Sequence, residues 1–177
     1  MDLPIFYSNS KEVQFKRTML LYDSALKEIN TKLEVINNEF KLTNQYNPIE
    51  HITSRLKSPK SIAKKMKRYG KEVSIENIIN YINDMAGIRI ICSFTSDIYR
   101  IADLLAKQDD IKVMRVKDYI ACPKPNGYSS YHMIVTVPVY LSDTVVDTKV
   151  EIQIRTIAMD FWASLEHKIY YKYEGNA

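Results

Sequence analysis

Residues 117–132 read KDYIACPKPNGYSSYH, and residues 150–156 read VEIQIRT. The first stretch brings Lys117, Lys124, a Pro125-Asn126-Gly127 turn, Tyr128 and His132 close together in the chain. In the second, Glu151, Gln153 and Arg155 alternate with Val150, Ile152 and Ile154. Successive side chains of a strand point to opposite faces. The alternation therefore sets a carboxylate, an amide and a guanidinium side by side on one face and leaves the other face to pack a core. Such a row suits the floor of an active site better than a solvent surface.

Working outward, β-rich runs at 111–121, 129–139 and 145–155 follow one another. The Pro-Asn-Gly turn links the first pair, and a loop around Leu141 to Thr144 links the second. Consecutive strands joined by short connections argue for an antiparallel portion. GIRIICSF at 87–94 reads as a buried strand, and 50–55 as a short strand or loop. The spacing of Phe15, Met19, Tyr22, Leu26, Ile29, Leu33, Ile36 and Phe40 predicts one long helix over 11–43. Ser58-Pro59 opens a helix that Gly70 stops. Ser74 caps a short helix, and 96–107 forms another. A last helix over 156–172 carries Ile157, Phe161, Leu165 and Ile169. The expected class is α/β (α+β): a mixed sheet of about four to five strands flanked by helices, behind a long N-terminal helix. The expected segments are 1–48, helical, and 49–177, a single globular unit.

With 46% apolar and 26% charged residues, the 177-residue chain has the composition of an ordered globular domain rather than a disordered one. No apolar run reaches membrane-spanning length, and the start of the chain lacks a leader pattern. Cys92 and Cys122 show no metal-ligand spacing and no disulfide framework, so a reducing cytoplasm is expected. The net charge of +4 matters through its placement.

Arg55, Lys57, Lys60, Lys64, Lys65, Lys67, Arg68 and Lys71 form a block without an acid. On a helix, Ser61, Lys64, Lys65 and Arg68 share a face. Like charges this close repel unless an anion such as a polyphosphate lies between them; the plain alternative is a solvated basic face. Asp84 precedes the strand that carries Arg89. Alone it reads as a turn residue, but facing Glu151 it becomes a candidate Mg²⁺ ligand, because Mg²⁺ is commonly held by one or two carboxylates plus substrate phosphates. Tyr128, expected as an exposed ring beside lysines on a loop, suits stacking on a nucleobase; the alternative is a hairpin with an edge tyrosine. His132 reads equally as a core histidine. Trp162 reads as helix-to-sheet packing. Arg115 and Lys117 are expected on one strand face with Val113 and Tyr119, where they can meet a distal phosphate.

Together these segments resemble the synthetase domain of the RelA/SpoT alarmone synthetases, from about Thr53 to Lys172. The likeness is carried by Arg55-x-Lys57-x-x-x-Ser61-x-x-x-Lys65, Asp84-Met-Ala-Gly-Ile-Arg89, Lys117-Asp-Tyr-Ile-x-x-Pro-Lys124-Pro-Asn-Gly-Tyr128-x-Ser-x-His132, and Glu151-Ile-Gln153-Ile-Arg155-Thr156. The resemblance implies a nucleotidyltransferase-like fold and an Mg²⁺-dependent pyrophosphokinase. Such an enzyme transfers the β,γ-pyrophosphate of ATP to the 3′-hydroxyl of GTP or GDP and releases AMP. It implies that Arg55, Lys57, Ser61, Lys65 and Arg68 hold the ATP phosphates, with Arg55 and Arg89 flanking adenine. Asp84 would bind Mg²⁺, and Glu151 would assist the metal or act as base. Tyr128 would stack on guanine, with Lys117, Lys124, Asn126, His132 and Gln153 lining the acceptor nucleotide.

No histidine precedes an aspartate, so the hydrolase half of the larger family members is not expected, and the chain reads as a small stand-alone synthetase. Further C-terminal helices contribute to homo-oligomers in the small members, so oligomeric state stays open here. Two other readings compete: a basic module that binds single-stranded RNA, and an inactive nucleotide sensor. Mg²⁺ dependence separates enzyme from RNA module, since electrostatic RNA binding needs no specific cation and weakens with salt.

Overall fold

The structure, a computed structural model, describes residues 10–43 and 46–174; residues 1–9, 44–45 and 175–177 of the expected segments lie outside the described residues. The element order is α1 (Lys11–Thr43), β1 (Ile49–Leu56), α2 (Pro59–Arg68), α3 (Ile75–Tyr81), β2 (Ala86–Cys92), α4 (Thr95–Ala106), β3 (Lys112–Asp118), β4 (Tyr131–Tyr140), β5 (Val145–Thr156) and α5 (Ile157–Glu174). The strands form one five-stranded sheet in the order β1-β2-β5-β4-β3. β2 and β5 run parallel; the other neighbours are antiparallel. The mixed sheet, the antiparallel β3-β4-β5 portion and the long first helix are as the sequence leads one to expect, and 50–55 is strand.

One sheet face is apolar. Ile88, Ile90 and Cys92 of β2, Val150, Ile152 and Ile154 of β5, and Met133, Val135, Val137 and Val139 of β4 are buried in a single core. The helical stripe of α1 fits against them: Leu21, Tyr22, Leu26, Ile29, Leu33, Ile36 and Phe40 belong to the same core. α2 enters it through Ile62 and Met66 alone, which leaves its basic residues pointing outward or toward the cleft. Its boundaries follow local chemistry. The Ser58 Oγ accepts from the Ser61 backbone N–H at 3.3 Å, and Gly70 turns the chain at φ 63°.

α5 turns its apolar stripe outward. Ile157, Phe161, Leu165 and Ile169 lie 47–69% exposed, so they are the outward face of the helix. The inward face carries Met159, Asp160, Trp162 and Glu166. Periodicity identifies residues that share a face; what that face meets is a tertiary matter. Among the described residues, no helix is long and apolar enough to cross a membrane.

Candidate active site

The polar face of β5 presents Lys149, Glu151, Gln153 and Arg155 in sequence, and the sheet register extends this row sideways. Arg55 of β1 pairs with Gly87 of β2, which pairs with Glu151. Ile134 and Arg115 continue that line across β4 and β3. The adjacent line runs Thr53, Arg89, Gln153, His132, Lys117. Residues far apart in sequence thus occupy two neighbouring cross-strand rows. A Cβ at Gly87 would sit 3.7 Å from Arg55 Cγ and Nε, an ordinary contact distance, so the Arg55 side chain lies across the Gly87 backbone. Thr53, Arg55, Gly87, Arg89, Glu151 and Gln153 line a cleft of about 230 Å³. A larger, shallow groove of about 550 Å³ between Phe94 and Phe161 lies at the other end of β2 and β5; its lining is mainly apolar and includes no charged side chain.

Asp84 sits in the connection between α3 and β2, anchored by its fully buried neighbour Met85. The Lys57 backbone N–H donates to the Met85 carbonyl at 2.8 Å, which draws the residue after β1 against this connection. Lys57 Nζ then reaches Asp84 Oδ2, and Lys65 Nζ from α2 reaches Oδ1, each at 2.6 Å. Burial alone would raise the Asp84 pKa, but the two ammonium groups hold it below its ordinary value. Glu151 goes the other way: burial and the charge of Asp84 raise it, against the pull of Lys65, Arg55 and Lys57. The Asp84 charge acts on Glu151, and Lys57 and Lys65 act on both carboxylates. Their mutual repulsion, and the cations crowding Asp84, fit a site made for a divalent cation accompanied by polyphosphate. Among the described residues there is no group of three or more His, Cys, Asp or Glu that could hold a metal by itself.

Other members of the basic block are placed less centrally. Ser61 lies on the first turn of α2, where its Oγ meets Ser58 Oγ at 2.9 Å. Lys64 and Arg68 are exposed along the helix. Arg89 leans toward Asp160, with Nη1 3.4 Å from Oδ1, and its buried Nε has no hydrogen-bond partner among the described residues.

The residues expected to meet the acceptor nucleotide lie largely on the loop between β3 and β4. Lys124 to Gly127 form a turn closed by the Gly127 N–H on the Lys124 carbonyl at 2.8 Å, and Gly127 adopts φ 85°. The Asn126 side-chain oxygen accepts from the Tyr128 N–H at 3.2 Å, while its nitrogen donates to Glu166 of α5 at 2.9 Å. Tyr128 is half-buried rather than exposed, a correction to the sequence expectation. Its ring stands edge-on to Tyr119 and His132. Lys124 Nζ lies 5.0 Å from its centroid and the Arg155 guanidinium 5.2 Å. Lys117 is exposed on β3, next to His132 in register. Burial first, then the charges of Arg155, Lys124, Lys117 and Arg89, push His132 down to about 4, so the imidazole is neutral at neutral pH.

Several features escaped sequence reasoning. Trp162 packs against Gly127, where a Cβ would come within 3.2 Å of its ring, so it holds the acceptor loop. The expectation for Val113 fails because the register slips between Val113 and Arg115. Val113 pairs with the core residue Val135, while Arg115 and Lys117 turn to the site. Asp160 carries no signal in the sequence. Arg155 had one, its place in the alternating row, but its bonding partners are set by the fold.

Two carboxylates set among lysines and arginines, with an aromatic residue on the neighbouring β3–β4 loop, equip an enzyme to move phosphate between nucleotides. Residues 54–176 match the family described as the region found in RelA / SpoT proteins, and the chain belongs to that family. It is 49% identical over 175 residues to the GTP pyrophosphokinase YwaC of Bacillus subtilis, covering 97% of this chain and 83% of the relative. The crystal structure of small alarmone synthetase 2 from the same organism superposes with TM-score 0.80 at 50% identity, covering 92% of this chain and 83% of that one. Small alarmone synthetase 1 of Bacillus subtilis, bound to its product pppGpp, superposes with TM-score 0.81 at 37% identity, covering 91% and 81%.

Proposed function

We propose that this protein is a GTP pyrophosphokinase: it transfers the β,γ-pyrophosphate of ATP to the 3′-hydroxyl of GTP, or of GDP, forming the penta- or tetraphosphate alarmone of the stringent response. The 3′-oxygen bonds to the β-phosphorus, the bond from that phosphorus to the α-bridging oxygen breaks, and AMP leaves. The observation that carries this reading is the pair of cross-strand rows. One puts Arg55 beside Glu151; the next puts Arg89, Gln153, His132 and Lys117 alongside. A donor half and an acceptor half meet at Glu151.

Lys57, Lys65, Ser61 and Arg68 take the ATP phosphates in this reading, and Arg55 and Arg89 flank the adenine. Lys57 and Lys65 exchange Asp84 for phosphate oxygens when ATP arrives, which frees the carboxylate. Asp84 and Glu151 would hold Mg²⁺, whose contribution when bound is to neutralise phosphate charge and orient the β-phosphorus. Glu151 assists the metal or, with its raised pKa, takes the 3′-hydroxyl proton. Tyr128 carries the guanine, which requires Lys124 to swing off the ring toward the nucleotide's phosphates. Asn126, His132, Gln153 and Lys117 line the acceptor. Arg115 and Lys117 support GTP as an acceptor at least as good as GDP, since both cations face the site. Two free thiols, Cys92 and Cys122, support a cytoplasmic setting. A single-stranded RNA module is disfavoured, because Lys57 and Lys65 direct their charge to a carboxylate inside the cleft.

The test is incubation of the purified protein with ATP, GTP and Mg²⁺, followed by nucleotide separation. Equal amounts of AMP and guanosine pentaphosphate, absent when Mg²⁺ is chelated, are expected. Failure to form either product overturns the reading.

A further inference from the structure

Arg155 is the most deeply buried cation of the site, its side chain 6% exposed, and it lies on the polar face of the sheet, away from the core. A guanidinium removed from water is tolerated only when its donors are occupied. Nε donates to Ser130 Oγ at 3.1 Å, Nη1 to Asp160 Oδ1 at 3.2 Å, and Nη2 to Tyr128 Oη at 2.5 Å and Gln153 Oε1 at 3.1 Å. Its carboxylate is shared, since Asp160 also pairs with Arg89 at 3.4 Å. Ser130 and Tyr128 belong to the acceptor loop and Gln153 to the acceptor row, so most of these bonds go to the half of the site assigned to the acceptor nucleotide.

The bond to Tyr128 has a direction. Arginine only donates, so the tyrosine oxygen accepts. That oxygen also lies 2.9 Å from His132 Nε2. Among the described residues, His132 Nε2 is the acceptor within reach of the hydroxyl hydrogen. With the hydroxyl hydrogen turned to Nε2, the chain runs from Arg155 to Tyr128 and from Tyr128 to His132, which leaves Nε2 unprotonated. We propose that Arg155 is a positioning residue for the acceptor nucleotide: by fixing the Tyr128 hydroxyl it sets the ring that carries the base and locks His132 as the tautomer with its proton on Nδ1. The acceptor then meets a histidine of one defined polarity. This rests on the pyrophosphokinase reading for the identity of the acceptor, but the bonding chain is a property of the protein alone.

The two parts are tested separately. Long-range nitrogen–proton correlation NMR of the nucleotide-free protein reads the tautomer directly, with His132 assigned by comparison with His132→Gln. A proton on Nδ1 is expected; a proton on Nε2 overturns the proposal. Tyr128→Phe keeps the ring and removes the hydroxyl. It should release the tautomer preference and raise the acceptor KM by roughly tenfold to a hundredfold, the range for losing a hydrogen bond to a charged group, with the ATP KM unchanged. Arg155→Lys keeps the charge but not the fork and should act in the same direction, and the double variant should be little worse than either single one. Unchanged acceptor KM in Tyr128→Phe, or equal losses for ATP and GTP in Arg155→Lys, defeats the proposal. Should Arg155→Lys fail to fold, Tyr128→Phe and the wild-type spectrum still decide. If the wild-type protein forms no alarmone, the proposed function fails while the tautomer measurement stands.

Discussion

Glu151 and His132 occupy neighbouring rows of the same sheet face, and their surroundings push their proton affinities in opposite directions. Burial and Asp84 raise Glu151, a direction that suits the base proposed for it. Glu151→Gln keeps the shape and removes that base. Turnover, followed as AMP release, should fall on the order of a hundredfold or more with little change in thermal midpoint; near-normal turnover would mean that the proton goes elsewhere. For His132 the folded value of about 4 lies below the ordinary 6.5. Between those values the unfolded chain binds a proton that the folded chain does not. Stability is then fully present above about pH 6.5 and declines as pH falls toward 4. Urea denaturation at stepped pH should show a shallower decline across that window for His132→Gln than for the wild type. Parallel curves would refute the assignment. Tyr128→Ala should weaken acceptor use by about tenfold to a hundredfold through lost stacking and leave ATP binding nearly untouched, as separate titrations with each nucleotide would show.

At the scale of elements, α5 is a clasp on the acceptor loop. Its inward face offers Asp160 to Arg155, the Trp162 ring to Gly127, and Glu166 to Asn126. Its four exposed apolar residues take no part in that. The two glycines with positive φ make a controlled comparison. Gly70 closes α2 at φ 63°, and a Cβ added there would meet nothing within 4 Å, so Gly70→Ala carries only the backbone penalty, about 1 kcal/mol. Gly127 at φ 85° adds a 3.2 Å approach to Trp162, so Gly127→Ala must also displace the ring and should cost roughly 2 kcal/mol or more. Chemical denaturation gives the ranking, and acceptor KM should rise for Gly127→Ala alone. Equal costs would show that the Trp162 contact yields freely.

Across the whole molecule, α1 and the sheet share one core, so the cleft depends on a helix that contributes no residue to it. Leu33 and Ile29 are fully buried there. Leu33→Ala should lower stability by about 2–5 kcal/mol in a single transition, with helical and aromatic signals lost together. Two separated transitions would show that residues 49–177 hold together without α1.

The alternation Glu151-Gln153-Arg155, the α1 stripe, the Ser58 and Ser74 caps and the basic block were legible because each depends on neighbours within a turn or two of chain. Fold class and element limits followed from them, while the roles of the candidate residues were read from the family resemblance. Strand order, register and the partners of each polar group depend on contacts between distant segments, which local periodicity does not encode. Only the tertiary structure set Gly87 between Arg55 and Glu151, slipped β3 at Val113, turned the apolar stripe of α5 outward, and joined Arg155 to Tyr128 and Asp160. The residue types of the site came from local pattern; their bonding came from packing, because a buried polar group takes whatever partner the fold brings within reach.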